Sequence, residues 1–418
     1  FKKMVFNFYE LINEKEMKQT YTIVFLADLH TLYDDRIYWK QAISLVKNGY
    51  NVHYITIGDV SGKGITKEGI HYLQLKRKKY LPTLLLNYFF KRLSFVKTEY
   101  DEALEYCQSI KADLYHIHDA RINRILGDLK KIGNNPKFIY DGREPLDKNM
   151  KDYRFKDSKI PKIITNTYAD YIQNWEYKKV KDYDYIFTVD DGLYNRFKKN
   201  VPNVPIKIMY NFTNLKDQRK HLTYEDKIYD AAYVGGLSEM RGALVALKST
   251  KYIVEKLPDY KLLFLGQVYD KKFEFEIKQF IQQNNLEKNV ILKDFVPHQE
   301  VSDYFNQIKI GLNPLLFAKT HEEIIQIKLF EYMNFGIPII TSNFGYMKKY
   351  VLENNVGIAI EPNDEKLLAN TILDLLNDRK AFDEFATNGI KAVDERYNWD
   401  IMEEMLLETY QFLLNEKQ

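Results

Sequence analysis

The chain has a single cysteine, Cys107, which excludes an intrachain disulfide framework and a cysteine-rich zinc cluster and fits a reducing compartment. It also has almost no net charge. With 61 Lys and Arg against 58 Asp and Glu, the total of +3 offers no global attraction to nucleic acid, so an electrostatic partner must be met by a local patch. No run of about 18 apolar residues is free of charge, and no bilayer-spanning helix is expected. The N-terminal FKKMVFNFYELINEKEMKQ carries glutamates where a secretory leader would have its apolar core. The expectation is therefore a cytoplasmic protein.

What the chain does have is length and alternation. Its 418 residues exceed what one hydrophobic core usually serves, which predicts two domains. Short β-rich runs alternate with helical stretches: 22–27, 51–57, 112–117, 137–141, 184–189 and 206–210 in the first half. The second half repeats the pattern at 230–234, 260–265, 289–293, 308–313, 337–341 and 356–360. Apolar runs between helices imply strands buried on both faces, hence parallel sheets. The fold class expected is α/β, with two doubly wound Rossmann-like domains facing across a cleft, the ligand lying at the carboxyl ends of the strands. The boundaries read as an N-terminal extension (1–20), a first domain (21–212), a second domain (213–395) and a terminal helical segment (396–418). The polar stretch 211–229, without clear periodicity, reads as the linker.

The most informative segment is QIKLFEYMNFGIPIITSNFG, residues 326–345. Lys328 and Glu331 are three apart, which places them on one face near the start of a helix that Gly336 and Pro338 end. A cation and a carboxylate beside free helix N–H groups suit a sugar nucleotide, whose diphosphate needs positive charge and whose hydroxyls need an acceptor. An ordinary surface Lys and Glu pair is the competing account. A second phosphate cue is AAYVGGLSEMRGALVAL, read as a strand, then Gly235 and Gly236, then a helix carrying Arg241. Glycines there allow close backbone approach, and an arginine offers a fork to phosphate oxygens. The string is not G-x-G-x-x-G, so a nicotinamide site is poorly supported.

The run K-L-F-E-Y-M-x-x-G-x-P-I-I-T, with Glu323 eight positions before Glu331, resembles the signature of the GT-B, family 4 retaining glycosyltransferases, the glycosyl transferases group 1. The resemblance extends diffusely over about residues 22 to 410. It implies a UDP- or GDP-linked sugar donor, no metal, and no obligatory protein nucleophile. By it, Arg241 and Lys328 neutralise the departing diphosphate, Glu331 holds the ribose, Glu323 the donor sugar, and His118 the sugar near its reacting carbon. Gly235, Gly236, Val296 and Leu329 join the donor site, with Val296 against the base. The loop departs from the family pattern, because Glu323 is followed by Ile324, Ile325 and Gln326 rather than glycines, so His321 or Glu322 could be the sugar-facing residue instead. The family's terminal helix crosses back onto the first domain.

The first domain is expected to bind the acceptor, a glycan or a lipid-linked sugar. Its cues are DLYHIHDAR, with His116 and His118 on one strand face, DGREP with Asp141 and Glu144, and Asp35-Arg36 at the first helix, where acceptor or pyrophosphate contact competes with helix capping by Asp34 or Asp35. Residues 76–97 set seven Lys and Arg around Leu, Tyr and Phe, a composition that an anionic membrane surface attracts, which would make the protein peripheral on the inner face of the cell membrane. The reading is a retaining, metal-independent glycosyltransferase of bacterial surface polysaccharide synthesis. A GT-B sugar-nucleotide epimerase and a non-catalytic GT-B subunit of a glycan-assembly complex are its rivals.

Overall fold

The computed structural model describes residues 20–415 apart from 29, 79–97, 134, 152–159, 221, 295, 297 and 323–324. Glu323, most of the basic and aromatic stretch 76–97, and nearly all of the N-terminal extension lie outside the described residues. The chain divides into two compact units, one comprising residues up to Val189 with Leu193–Met209 and Glu403–Gln418, the other Asp190–Gly192 with Tyr210–Met402.

The first unit is built on an eight-stranded sheet in the order β3-β4-β2-β1-β5-β6-β7-β8. Its strands are β1 (Thr22–Asp28), β2 (Asn51–Gly58), β3 (Gly62–Ile65), β4 (His71–Lys76), β5 (Leu114–Ile117), β6 (Lys137–Gly142), β7 (Tyr185–Thr188) and β8 (Ile206–Ile208). All pairings are parallel except β3 with β4. β1 is buried along almost its whole length, as its unbroken apolar run requires. The antiparallel β3 and β4 were not anticipated. The string GKGI and the mixed polarity of HYLQLK leave both strands partly exposed, so neither shows the continuous apolar run that betrays a central strand.

The second unit carries a six-stranded parallel sheet ordered β11-β10-β9-β12-β13-β14. The strands are β9 (Tyr229–Val234), β10 (Leu262–Leu265), β11 (Val290–Lys293), β12 (Ile308–Asn313), β13 (Ile339–Ser342) and β14 (Gly357–Ile360). In chain order this is 3-2-1-4-5-6, whose direction reverses between β9 and β12, where such sheets open a crevice for ligand. The expected linker is not a free tether. Phe212, Thr213 and Leu215 are buried, the Asn334 amide donates to the Leu215 carbonyl at 3.1 Å, and Arg219 bridges Asn334 and Asp394, all within the second unit. Polarity alone could not reveal this, because the anchoring residues are scattered singly along the stretch. The last helix spans Trp399–Asn415, and from Glu403 onward it clusters with the first unit, where the Tyr410 hydroxyl meets His116 Nδ1 at 2.7 Å.

Candidate active site

In the second unit the candidate residues gather at the reversal point of the sheet. β9 ends at Val234, and the chain turns through Gly235 and Gly236 toward Gly242, which N-caps the helix α1 (Ala243–Val254). Gly242 has φ +77°, and a Cβ there would fall 1.7 Å from the Pro314 carbonyl oxygen, on the loop after β12. Gly266, after β10, would place a Cβ 2.2 Å from the Gly235 oxygen. Only glycine lets these three loops touch, so the floor of the crevice is bare backbone. Arg241 precedes α1 rather than lying in it. The expected helical arginine is displaced because the left-handed Gly242 starts the helix after it, and Arg241 therefore sits exposed in the turn.

From the other side of the reversal comes helix α2 (Ile327–Asn334), with non-helical Gln326 as N-cap residue. Ile325 and Gln326 are non-helical, so the helix that carries Glu331 begins at Ile327. Lys328, in the first turn, is only 6% exposed, and its ammonium lies over the Tyr233 ring, 4.0 Å from the centroid. It makes no salt bridge among the described residues. Burial first, then the charge of Arg241, hold Lys328 well below the ordinary lysine range, while Glu331 pulls the other way. The helix is fixed by Tyr332, whose hydroxyl accepts from Val234 N at 3.0 Å and donates to the Ala232 carbonyl at 3.1 Å. Its ring covers Gly311, where a Cβ would come within 2.6 Å. A buried lysine and an exposed arginine thus stand near one glycine turn, an arrangement that suits an anion.

Of the remaining donor-site candidates, Leu329 is fully buried, so its side chain serves the core, and Val296 is partly buried between two residues outside the described set. His321 is also buried, with Nδ1 2.8 Å from the Leu316 carbonyl, whereas Glu322 is exposed. Asn313, not named among the site residues from sequence, ends β12 with both amide atoms buried and without a hydrogen-bond partner among the described residues. Its position at the exit of a strand beside the reversal point was the available signal.

The first unit also collects its candidates at strand ends. His116 and His118 stack, centroids 4.3 Å apart, beneath the edge of Phe25. Asp141 is fully buried against Arg36, which bonds it through Nε and Nη2, each at 3.0 Å, and donates Nη1 to the Met209 carbonyl at 2.7 Å. Arg36 is therefore spent inside the fold and unavailable to acceptor or pyrophosphate. Asp34 caps the first helix, accepting from Arg36 N and Ile37 N, each at 3.0 Å. Burial holds both histidines below their ordinary range, while Asp141 pulls the other way. Donor atoms of His116, His118 and Asp141 lie within 4.8 Å of one another, a spacing that a metal ion could bridge. The donor set fits such an ion poorly: Asp141 Oδ2 already accepts Arg36 Nε and the Gln41 amide, at 3.0 and 2.8 Å, and a guanidinium stands where a second cation would go. His118 Nδ1 faces Asp141 Oδ2 at 3.5 Å, and its Nε2 has no hydrogen-bond partner among the described residues.

A second polar cluster, which no single motif announced, joins the ends of β1, β5 and β6. His30 Nδ1 is 3.1 Å from Asp34, and its Nε2 is 3.5 Å from Asp119, with Arg143 beside both. Burial opposes its charge, but the bonds to Asp119 and Asp34 outweigh that and raise His30 to about 9. From the basic stretch, Arg77 pairs with Asp28, and Lys78 with Glu102 at 2.6 Å.

Residues 214–392 match the family model described as glycosyl transferases group 1. An uncharacterized glycosyltransferase of Methanocaldococcus jannaschii is 20% identical over 386 residues, covering 89% of this chain and 92% of that protein. The capsular polysaccharide biosynthesis glycosyltransferase CapM of Staphylococcus aureus is 26% identical over 206 residues, so the match spans 49% of this chain and about half, 51%, of CapM. Among solved structures, sucrose-phosphate synthase from Thermosynechococcus elongatus superposes with a TM-score of 0.69 at 16% identity over 94% of this chain and 100% of its own. Anabaena HepE, in complex with UDP-glucose, gives 0.67 at 12% identity, over 94% and 99%. These likenesses show the fold, which is GT-B.

Proposed function

We propose, from the premise that residues 214–392 are a glycosyl transferases group 1 domain, that the protein moves a sugar from a nucleoside-diphosphate sugar to a glycan or lipid-linked acceptor with retention at the anomeric carbon. The observation that carries this is Lys328: a buried lysine whose ammonium has no salt bridge among the described residues and lies near a second cation, Arg241. A diphosphate would supply the missing counter-charge. When the bond between the anomeric carbon and the diphosphate oxygen breaks, its electron pair leaves with the diphosphate, and the two cations stabilise that developing charge. The acceptor oxygen attacks from the same face and passes its proton to the departing diphosphate. No protein nucleophile is assigned. The charge stabilisation comes from protein cations rather than from a metal.

Glu331, one helical turn from Lys328, is assigned to the ribose, and Glu323 to the donor sugar. From the first unit His118 is assigned to the transferred sugar, as the match of its strand end to the family motif implies. The capsular role in the name of CapM and the UDP-glucose in the HepE complex make surface polysaccharide synthesis and a UDP-sugar the first choices. A thermal-shift screen of UDP, GDP, ADP and their sugars tests the reading, since a ligand at 100 times its Kd adds about 2.7 kcal/mol. Absence of a shift with every nucleotide would refute it.

A further inference from the structure

We infer that Tyr269 is the platform on which the aromatic base of the donor nucleotide stacks, an inference that rests on the donor-site reading above. Tyr269 is 79% exposed. A lone exposed ring is commonplace, so exposure by itself says little. What sets this ring apart is how firmly its backbone is held and what it stands beside. On one flank, Leu237 and Val268 form a β-bridge, and Leu237 N donates to the Gln267 carbonyl at 3.0 Å, tying the loop after β10 to the glycine turn after β9. On the other flank, Asp270 caps the helix Lys271–Gln283, accepting from Lys272 N at 2.8 Å. The chain between these anchors is one residue long, and its side chain projects into solvent without a polar partner among the described residues.

The ring edge stands next to the phosphate-binding turn. A Cβ built on Gly236 would lie 3.3 Å from the Tyr269 ring and 3.3 Å from Arg241 Nη1, so ring, glycine and guanidinium are neighbours around one point. A diphosphate held by Arg241 and Lys328 carries its nucleoside within reach of that ring. A planar base gains from an aromatic face whatever its hydrogen-bonding edge, so the platform accepts pyrimidine or purine and fixes affinity rather than base choice.

The test measures binding of UDP, GDP and inorganic pyrophosphate to the full chain by calorimetry, in wild type, Tyr269→Ala and Tyr269→Phe. Pyrophosphate has the charges but no base. Tyr269→Ala should weaken the better-bound nucleotide about tenfold, within the range that base stacking on an aromatic ring supplies. It should leave pyrophosphate within about twofold, and Tyr269→Phe should match wild type. An unchanged nucleotide affinity in Tyr269→Ala overturns the inference, and so does an equal loss for pyrophosphate, which would place the ring on the phosphates. If wild type binds no nucleotide, the donor-site reading falls and takes this inference with it, an outcome visible before any variant is made.

Discussion

Replacing Lys328 by methionine keeps most of the side-chain volume and removes the charge. One hydrogen bond to an ionised group is worth about 1.5 to 3 kcal/mol, so the Kd for UDP should rise roughly ten- to hundredfold. Turnover should fall further, by about a hundred- to thousandfold, because the charge on the diphosphate grows in the transition state. The proton count gives a sharper readout. Burial and Arg241 hold Lys328 below its unfolded value of about 10.4, so in that window the unfolded chain keeps a proton that the ligand-free fold has lost. Ligand-free stability therefore rises with pH across the window, and Lys328→Met should flatten that rise. A bound diphosphate favours the charged lysine, so binding should take up a proton, and affinity should fall by up to about tenfold per pH unit above the depressed pKa. Calorimetry in two buffers of different ionisation enthalpy counts that proton. The variant should take up none and should be at least as stable as wild type without ligand. A variant that binds UDP within about threefold of wild type, or wild-type binding without proton uptake, would refute the clamp.

Three further outcomes are expected. Gly242→Ala should cost at least about 2 kcal/mol in denaturant unfolding of the second unit, because φ +77° and backbone 1.7 Å away leave no room for a Cβ; a loss under about 0.5 kcal/mol would show that the loops part easily. His30, raised to about 9, contributes stability that is fully present below its unfolded value near 6.5 and lost as pH rises through about 9. His30→Gln should thus be less stable than wild type at pH 6 and nearly equal to it at pH 10, and a difference independent of pH would contradict the ion cluster. Sugar transfer should persist in excess EDTA, whereas a complete loss reversed by magnesium or manganese would show that Arg241 and Lys328 do not suffice for the leaving group.

The sequence by itself determined the architecture, because buried parallel strands must be continuously apolar, and twelve such runs mark twelve of the fourteen strands among the described residues. It also placed Lys328 and Glu331 on one helix and Gly235 and Gly236 in the turn after β9, since helical spacing and glycine conformation are local properties. Tertiary structure decided the rest, where the outcome depended on partners far apart in sequence. Arg36 looks like a ligand contact until Asp141, 105 residues on, consumes its guanidinium. Asp34 rather than Asp35 caps the first helix because its side chain meets two backbone N–H groups there. The stretch 211–229 looks like a tether until Asn334 and Asp394 hold it down. Lys328 gains its perturbed proton affinity only when Tyr233 covers it and Arg241 arrives on another loop, for desolvation and charge proximity are properties of the folded surface and not of any string of residues.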